Sequence, residues 1–195
     1  MKKDIILAGV GGQGILTIAA TIGLAAVSKG LYLKQAEVHG MSQRGGAVQS
    51  HLRLSSSPIH SDLIPRGKAD MIIAVEPMES IRYIPMLSPD GWLITNNTPY
   101  VNIPGYPDMN ALLPEIRSHH NHIIIDAEQT ARDIGSKRSA NMVTLGAALP
   151  FLEIEMKHLE DALRQLFGHK GEEMVQTNLK ALEGGKKATR EYQEG

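Results

Sequence analysis

The chain opens on a short apolar run, Ile5-Ile6-Leu7-Ala8, β-branched at its start and stopped by glycines. An uninterrupted run of that length predicts a strand covered on both faces. From Gln13 to about Ser28 the period changes: Ile15, Ile18, Ala19, Ile22 and Ala26 recur at spacings of three and four, and Lys29-Gly30 supplies the stop. Leu31 to Val38 has the length of a second strand. Ala47 to Leu54 alternates, with Val48, Leu52 and Leu54 on one side and Gln49, His51 and Arg53 on the other, which predicts a strand with one solvated or site-facing side. Met71 to Val75 is apolar throughout and reads as a central strand. Glu76-Pro77 ends it, with Pro77 suited to the first position of a short helix. Trp92 to Thr95 and Ile123 to Asp126 are two further strands. The stretch between them carries Pro99, Pro104 and Pro107 and predicts a surface excursion.

Beyond Asp126 the pattern is helical: Ala127 to Ile134, Asn141 to Phe151, Lys157 to Phe167 and Glu172 to Leu182. Leu159, Leu163 and Leu166 form one apolar stripe; Met174, Val175, Leu179 and Leu182 form another, interrupted by Asn178, which would bond a helix end or a partner. Gly184 to Gly195 is polar and is expected to fray. A strand–helix–strand start followed by further strands predicts a three-layer, Rossmann-like α/β fold with a mostly parallel sheet and a C-terminal helical segment. We read residues 1–195 as a single domain, strand-rich over 1–126 and mainly helical over 127–195.

Composition narrows the chemistry. A formal net charge of −1 argues against a nucleic-acid partner. Zero cysteine removes disulfides, thiolate catalysis, thiolate-ligated zinc and cysteine-held iron–sulfur clusters from this chain. The charged start and the early glycines do not fit a secretion signal, and no apolar stretch reaches membrane-spanning length. The expectation is a cytoplasmic protein with no membrane partner. His119-His120-Asn121-His122 is the histidine cluster of the chain, and a helix C-terminus before the next strand accounts for it without a metal.

Gly9-Val10-Gly11-Gly12-Gln13-Gly14 has the G-x-G-x-x-G form between a predicted strand and a predicted helix. Glycines let backbone N–H groups approach an anion, and the helix start adds partial positive charge. Glu37 falls roughly twenty residues further on, where a dinucleotide fold places an acid for the ribose 2′-hydroxyl. Three readings stay open on these residues: an NAD or FAD site, a site for another phosphate or carboxylate, and a tight turn with no ligand.

The most unusual stretch is Glu37-Val38-His39-Gly40-Met41-Ser42-Gln43-Arg44-Gly45-Gly46. Taken with G-V-G-G-Q-G-I-L-T at Gly9 to Thr17 and S-H-L-R at Ser50 to Arg53, it resembles the gamma-type domain of the 2-oxoacid:ferredoxin oxidoreductases, and its H-G-M-S-Q-R-G-G form is most similar to the indolepyruvate branch. Ser61 to Asp70, Glu76, Arg82 and Asn141 to Gly146 also fit, so the resemblance covers essentially the whole chain.

That resemblance implies the small subunit of an enzyme that oxidatively decarboxylates an aryl pyruvate, passing the acyl group to coenzyme A and two electrons to ferredoxin. It places thiamine diphosphate and the iron–sulfur clusters on a large alpha subunit, so this chain alone is expected to be inactive. Asp90-Gly91 and Asn96-Asn97 look superficially like a thiamine signature, but Pro89 stands where its first glycine belongs and the spacing is short; a turn before the Trp92 strand is the simpler expectation. Gly11, Gly12, Gln13 and Gly14 are the candidates for a coenzyme A phosphate. Glu37, His39, Ser42, Gln43, Arg44, Gly45 and Gly46 are the candidates for an active-site or subunit-interface role, expected at the C-terminal sheet edge with Glu37 as counter-charge to Arg44. Two alternatives remain: a stand-alone NAD/FAD-binding oxidoreductase, and a non-catalytic assembly subunit.

Overall fold

Side-chain alternation on the central strands sets the layers. The protein is described by a computed structural model over residues 1–40 and 45–194, with His39 described through its backbone alone. Six strands form one sheet: β1 (Lys2–Val10), β2 (Tyr32–His39), β3 (Ala47–Ser55), β4 (Ala69–Ala74), β5 (Leu87–Asn96) and β6 (His122–Ile125), in the order β2-β3-β1-β4-β5-β6. β1, β4, β5 and β6 pair in parallel, whereas β3 runs against both of its neighbours. Ile5, Leu7, Ile73 and Ile94 face one side, under α1 (Ile15–Ser28), α5 (Ala140–Leu152), α6 (Met156–Phe167) and α7 (Glu172–Glu194). Ile6, Ala8, Ile72 and Leu93 face the other, where Ile116 of α3 (Met109–Arg117) and Ile81 of α2 (Pro77–Arg82) close the layer. The short α4 (Ala127–Asp133) joins the first side through Ala127 and Ala131. This is the three-layer α/β arrangement expected from the pattern.

Three local expectations are corrected. The polar tail does not fray: α7 continues to Glu194 and buries Gly185 and Thr189. The cause is close packing on α5, a helix apolar all round and therefore covered on several sides. A Cβ on Gly185 would stand 2.7 Å from the Ala147 nitrogen, and one on Gly146 would stand 2.8 Å from Leu182 Cα. Only paired glycines let two backbones approach so far, and Thr189 Oγ1 then donates to Ala147 O at 2.8 Å. The sequence looked polar there because the contact is made by main chain.

The turn expected at Asp90-Gly91 lies inside β5 as an irregularity, where pairing jumps from Ala69↔Leu87 to Met71↔Trp92. The polar face of β3 is covered rather than openly solvated: His51 is buried, and the half-buried Arg53 lines a hollow of about 330 Å³ with Asp4 and the 58–61 segment. Arg53 pairs with the buried Asp4 (Nε to Oδ1, 2.7 Å) and donates to the carbonyls of Ser61 and Leu63, while His51 Nδ1 accepts from Ile64 N at 3.0 Å. The 56–66 segment is thereby tied across that face. Burial works to raise the Asp4 carboxyl pKa, but Arg53 and Lys2 outweigh it and hold it below the usual value.

Replacing Gly185 by alanine should lower the unfolding free energy by about 2–4 kcal/mol, read as a lower urea midpoint at unchanged slope. Gly168→Ala, where an added Cβ meets nothing within 4 Å, should leave the midpoint nearly unmoved.

Candidate functional site

The loop between β1 and α1 starts where β1 leaves the sheet. Gly9 is pressed between neighbours, since an added Cβ would come within 2.7 Å of Ile15 Cδ1. Gly12 and Gly14 take left-handed backbone, φ 99° and 80°, which side-chain-bearing residues rarely adopt. The loop is tied from within by Gln13, whose Oε1 accepts from Val10 N at 2.8 Å while its own N–H donates to Val10 O at 3.1 Å. Gly11 N donates to Gly46 O at 2.8 Å. Two of the four expected anion-facing N–H groups are therefore engaged within the protein. The N–H groups of Gly12 and Gly14 have no partner among the described residues. Gly14, the N-cap of α1, makes no side-chain cap bond, so the helix start keeps its unpaired donors and its partial positive charge.

Gly12 lines a cleft of about 320 Å³ at the C-terminal edge of the sheet, together with Gln13, Val75, Asn96, Lys137, Arg138 and Asn141 among others. A second helix start closes it: Ser139, the N-cap of α5, also makes no side-chain cap bond. Asn141 Nδ2 donates to Gly14 O at 3.3 Å, joining the two helix starts. Asn96 is buried, accepting from Ala127 N at 3.0 Å, and so fixes α4 beside the cleft. Asp126 is the N-cap of α4, its Oδ1 accepting from Gln129 N at 2.7 Å. Two helix starts and two exposed cations are features that favour an anion, and Glu128 is the carboxylate on the cleft's rim. Lys137 and Arg138 were not singled out from the sequence; Asn96 and Asn141 were noted there, but not as residues lining this cleft. The available signal was the basic pair immediately before a wholly apolar helix.

The second group of candidates separates. Gly45 and Gly46 adjoin the glycine loop through the Gly11–Gly46 bond, and His39 pairs with Val48, level with Gly9. Glu37 does not reach that position. Because β3 stands between β2 and β1, Glu37 pairs with Ser50, which pairs with Leu7. It lies two strands from β1, roughly 10 Å, and three residues short of the strand end. Its carboxylate accepts from Gln35 Nε2. Ser42, Gln43 and Arg44 lie outside the described residues, and with them the expected Glu37–Arg44 pairing.

Glu76 anchors the opposite rim. Its side chain is fully buried and caps α2 by accepting from Glu79 N at 2.8 Å. It also accepts from Tyr100 N at 3.2 Å and from the Tyr106 hydroxyl, which pins the proline-rich 97–108 segment across the strand ends. Burial, and then the bond to Glu76, raise the Tyr106 phenol well above its ordinary pKa. Burial also raises Glu79, with Arg82 partly offsetting it. Asn102, carried on the same segment, donates from Nδ2 to Gly45 O. Glu76 thus reaches the glycine loop through Asn102, Gly45 and Gly46.

The sheet thus carries a cleft at its C-terminal edge and a reversed strand beside β1, with Glu37 two strands from the glycine loop. The pyruvate ferredoxin/flavodoxin oxidoreductase family matches residues 4–188. The chain is 34% identical over 194 residues to indolepyruvate oxidoreductase subunit IorB of Archaeoglobus fulgidus, covering 95% of this chain and 94% of that one. It is 34% identical over 202 residues to the IorB subunit of Pyrococcus horikoshii, with 98% of each covered. The chain belongs to the pyruvate ferredoxin/flavodoxin oxidoreductase family. Among solved structures, it aligns at 27% identity and TM-score 0.78 with the 2-oxoglutarate:ferredoxin oxidoreductase of Magnetococcus marinus, which was determined with 2-oxoglutarate, coenzyme A and succinyl-CoA bound. There it covers 97% of this chain and 31% of that chain. The gamma subunit of a keto/oxoacid ferredoxin oxidoreductase from Geobacter sulfurreducens shares the fold, with TM-score 0.70 over 97% and 99% of the two chains.

Glu76→Ala removes the acceptor of one buried and two part-buried donors and should lower stability by about 2–4 kcal/mol. It should also open the 97–108 segment to limited proteolysis, whereas Tyr106→Phe should cost about 1 kcal/mol and leave the segment protected.

Proposed function

We propose that this chain is the small, beta-type subunit of an indolepyruvate:ferredoxin oxidoreductase, working as a cytoplasmic complex with a large alpha subunit. The observation that carries this is near-full-length colinearity with chains named IorB at 33–34% identity. In the proposed reaction an aryl 2-oxoacid loses CO2, its acyl carbon is joined to the sulfur of coenzyme A, and two electrons pass to ferredoxin. The alpha subunit holds the thiamine diphosphate and the iron–sulfur clusters. In keeping with this division, the chain has no cysteine to ligate a cluster.

The part assigned to this chain is to hold the phosphate end of coenzyme A, which supplies the thiol that accepts the acyl group. Gly12 and Gly14 would donate through their N–H groups, and Lys137 and Arg138 would supply charge. Gly11 and Gln13 shape the loop through their internal bonds. The Glu37 to Gly46 segment is assigned to the alpha-subunit or substrate side, with Arg44 as a two-pronged anion clamp. The stand-alone NAD/FAD reading is disfavoured because Glu37 lies two strands from β1.

The purified chain should not reduce a viologen dye with indolepyruvate, and adding the alpha subunit should give that activity; turnover by the chain alone would reject the division of labour. Gly12→Asp, assembled with the alpha subunit, should raise the KM for coenzyme A by about tenfold or more. Unchanged coenzyme A dependence would remove the loop from the site. Arg44→Lys keeps the charge and loses the fork, and should cut turnover of the complex by about tenfold. Full activity in that variant, or equal activity of a complex lacking the chain, would favour an assembly role.

A further inference from the structure

β2 forms one edge of the sheet, and its outer side has no strand partner among the described residues. Gly40 N donates to Ala47 O, which makes that pair a hydrogen-bonded one in the antiparallel β2–β3 register. Alternation then turns the even-numbered residues of β2 toward β3, and the N–H and C=O of Leu33 and Gln35 outward. β2 runs for 8 residues with no proline and no bulge, the devices that keep exposed edges from pairing. Beside it, α1 carries no charged residue over its 14 positions. Leu16, Ala20, Leu24 and Val27, spaced by four, four and three, form an apolar stripe on its outer side, with Leu16 and Val27 exposed. A helix that is apolar all round is one that is covered all round. At its Leu16 end the stripe runs into a hollow of about 330 Å³ lined by Val10, Ile15, Leu16 and Val48 with the loop glycines. A Cβ on Gly23 would stand 3.1 Å from Leu33 Cδ2, so α1 lies against β2, and stripe and edge form one continuous face.

We propose that a second copy of this chain covers this face, its β2 pairing antiparallel with the first about a two-fold axis at Gln35. Such an axis stands perpendicular to the sheet and keeps side-chain faces matched, so each open register is centred on a residue. Centring on Lys34 or on Glu37 sets like charges opposite each other. Centring on Ala36 sets the Lys34 ammonium against Val38. Centring on Gln35 sets Tyr32 against Val38 at both ends, residues that are 51% and 60% exposed in the single chain. That is an aromatic–β-branched pair in the close, non-hydrogen-bonded position. Lys34 then faces Ala36, and no like charges are opposed. On the α1 side of the joined sheet the two stripes run antiparallel, neutral along their length, and the hollow at each Leu16 end faces the Val27 end of the other copy. A helix stripe alone falls short of the ~800 Å² per partner of a stable interface; strand edge, stripe and hollow together spread the contact over two layers. The charge pattern of β2 and the matching of its two ends select a second copy over another partner. The cleft lies beyond β1, at the ends of β4 and β5, and stays open. The proposal stands independently of any catalytic role of the chain.

The test is sedimentation equilibrium of the purified full chain, which should show twice the chain mass at about 50 μM. Gln35→Pro removes an outward N–H without touching the β2–β3 bonds. It should raise the dimer Kd by about tenfold or more, with the circular dichroism spectrum and urea midpoint of the fold retained. Val27→Glu, at an exposed position of α1, should weaken the dimer by a similar factor. Tyr32→Lys and Val38→Glu should each raise the Kd about tenfold, and the double variant should recover most of the affinity, because the Gln35 register sets the two positions opposite each other. A monomer at about 50 μM, a dimer indifferent to both Gln35→Pro and Val27→Glu, or no recovery in the double variant would overturn the proposal. A monomeric chain whose capture by the alpha subunit is lost in Val27→Glu overturns it as well, and gives the face to that subunit. Where Gln35→Pro fails to fold, the Val27→Glu and Tyr32–Val38 measurements decide alone.

Discussion

The reversal of β3 is the constraint on which the rest of the site depends. Had the chain crossed from β2 into a parallel strand, it would have left the C-terminal edge and travelled the length of the sheet before returning. An antiparallel β3 instead turns back at that edge, and Gly46 stays beside the glycine loop. The bond from Gly11 N to Gly46 O follows directly. The same strand occupies the place next to β1 that a dinucleotide fold gives to β2, and so carries Glu37 outward. One inversion of direction both assembles this site and dismantles the other site that the glycine motif could have served.

Charge is distributed around the cleft so that each sign has a separate task. The positive side is made of helix starts and exposed side chains, which need little reorganisation to receive an anion. The negative side is internal: Glu76 is sealed among N–H and O–H donors, and Glu79 is paired to Arg82. A buried carboxyl group is tolerable when several donors converge on it. Here those donors belong to α2 and to the 97–108 segment, so the desolvation that Glu76 demands is also what holds the rim in place.

Much of this was legible in the chain. Uniform apolar runs placed β1 and β4, alternation placed the core side of β3, and three-and-four spacing placed α1, α6 and the first half of α7. The glycine-rich composition placed the tight β1–α1 loop. What the sequence hid were relations made by backbone or by distance along the chain. Strand order cannot be read from strand patterns, so Glu37 looked well placed. Gln49, His51 and Arg53 looked solvated because their covering segment is itself polar. Lys137 and Arg138 become site residues only when α5 is docked, and the second half of α7 only when Gly146 and Gly185 meet.

That glycine contact also sets a ruler. α5 begins at the glycine-loop cleft, and α7 begins at a hollow lined by Phe167 and Met174. Where two helices touch through side chains, their spacing drifts as residues are exchanged. Where they touch through main chain, as at Gly146 and Gly185, the spacing is fixed by bond lengths and atomic radii. The span between the two hollows is therefore insulated from most substitutions in the surrounding core.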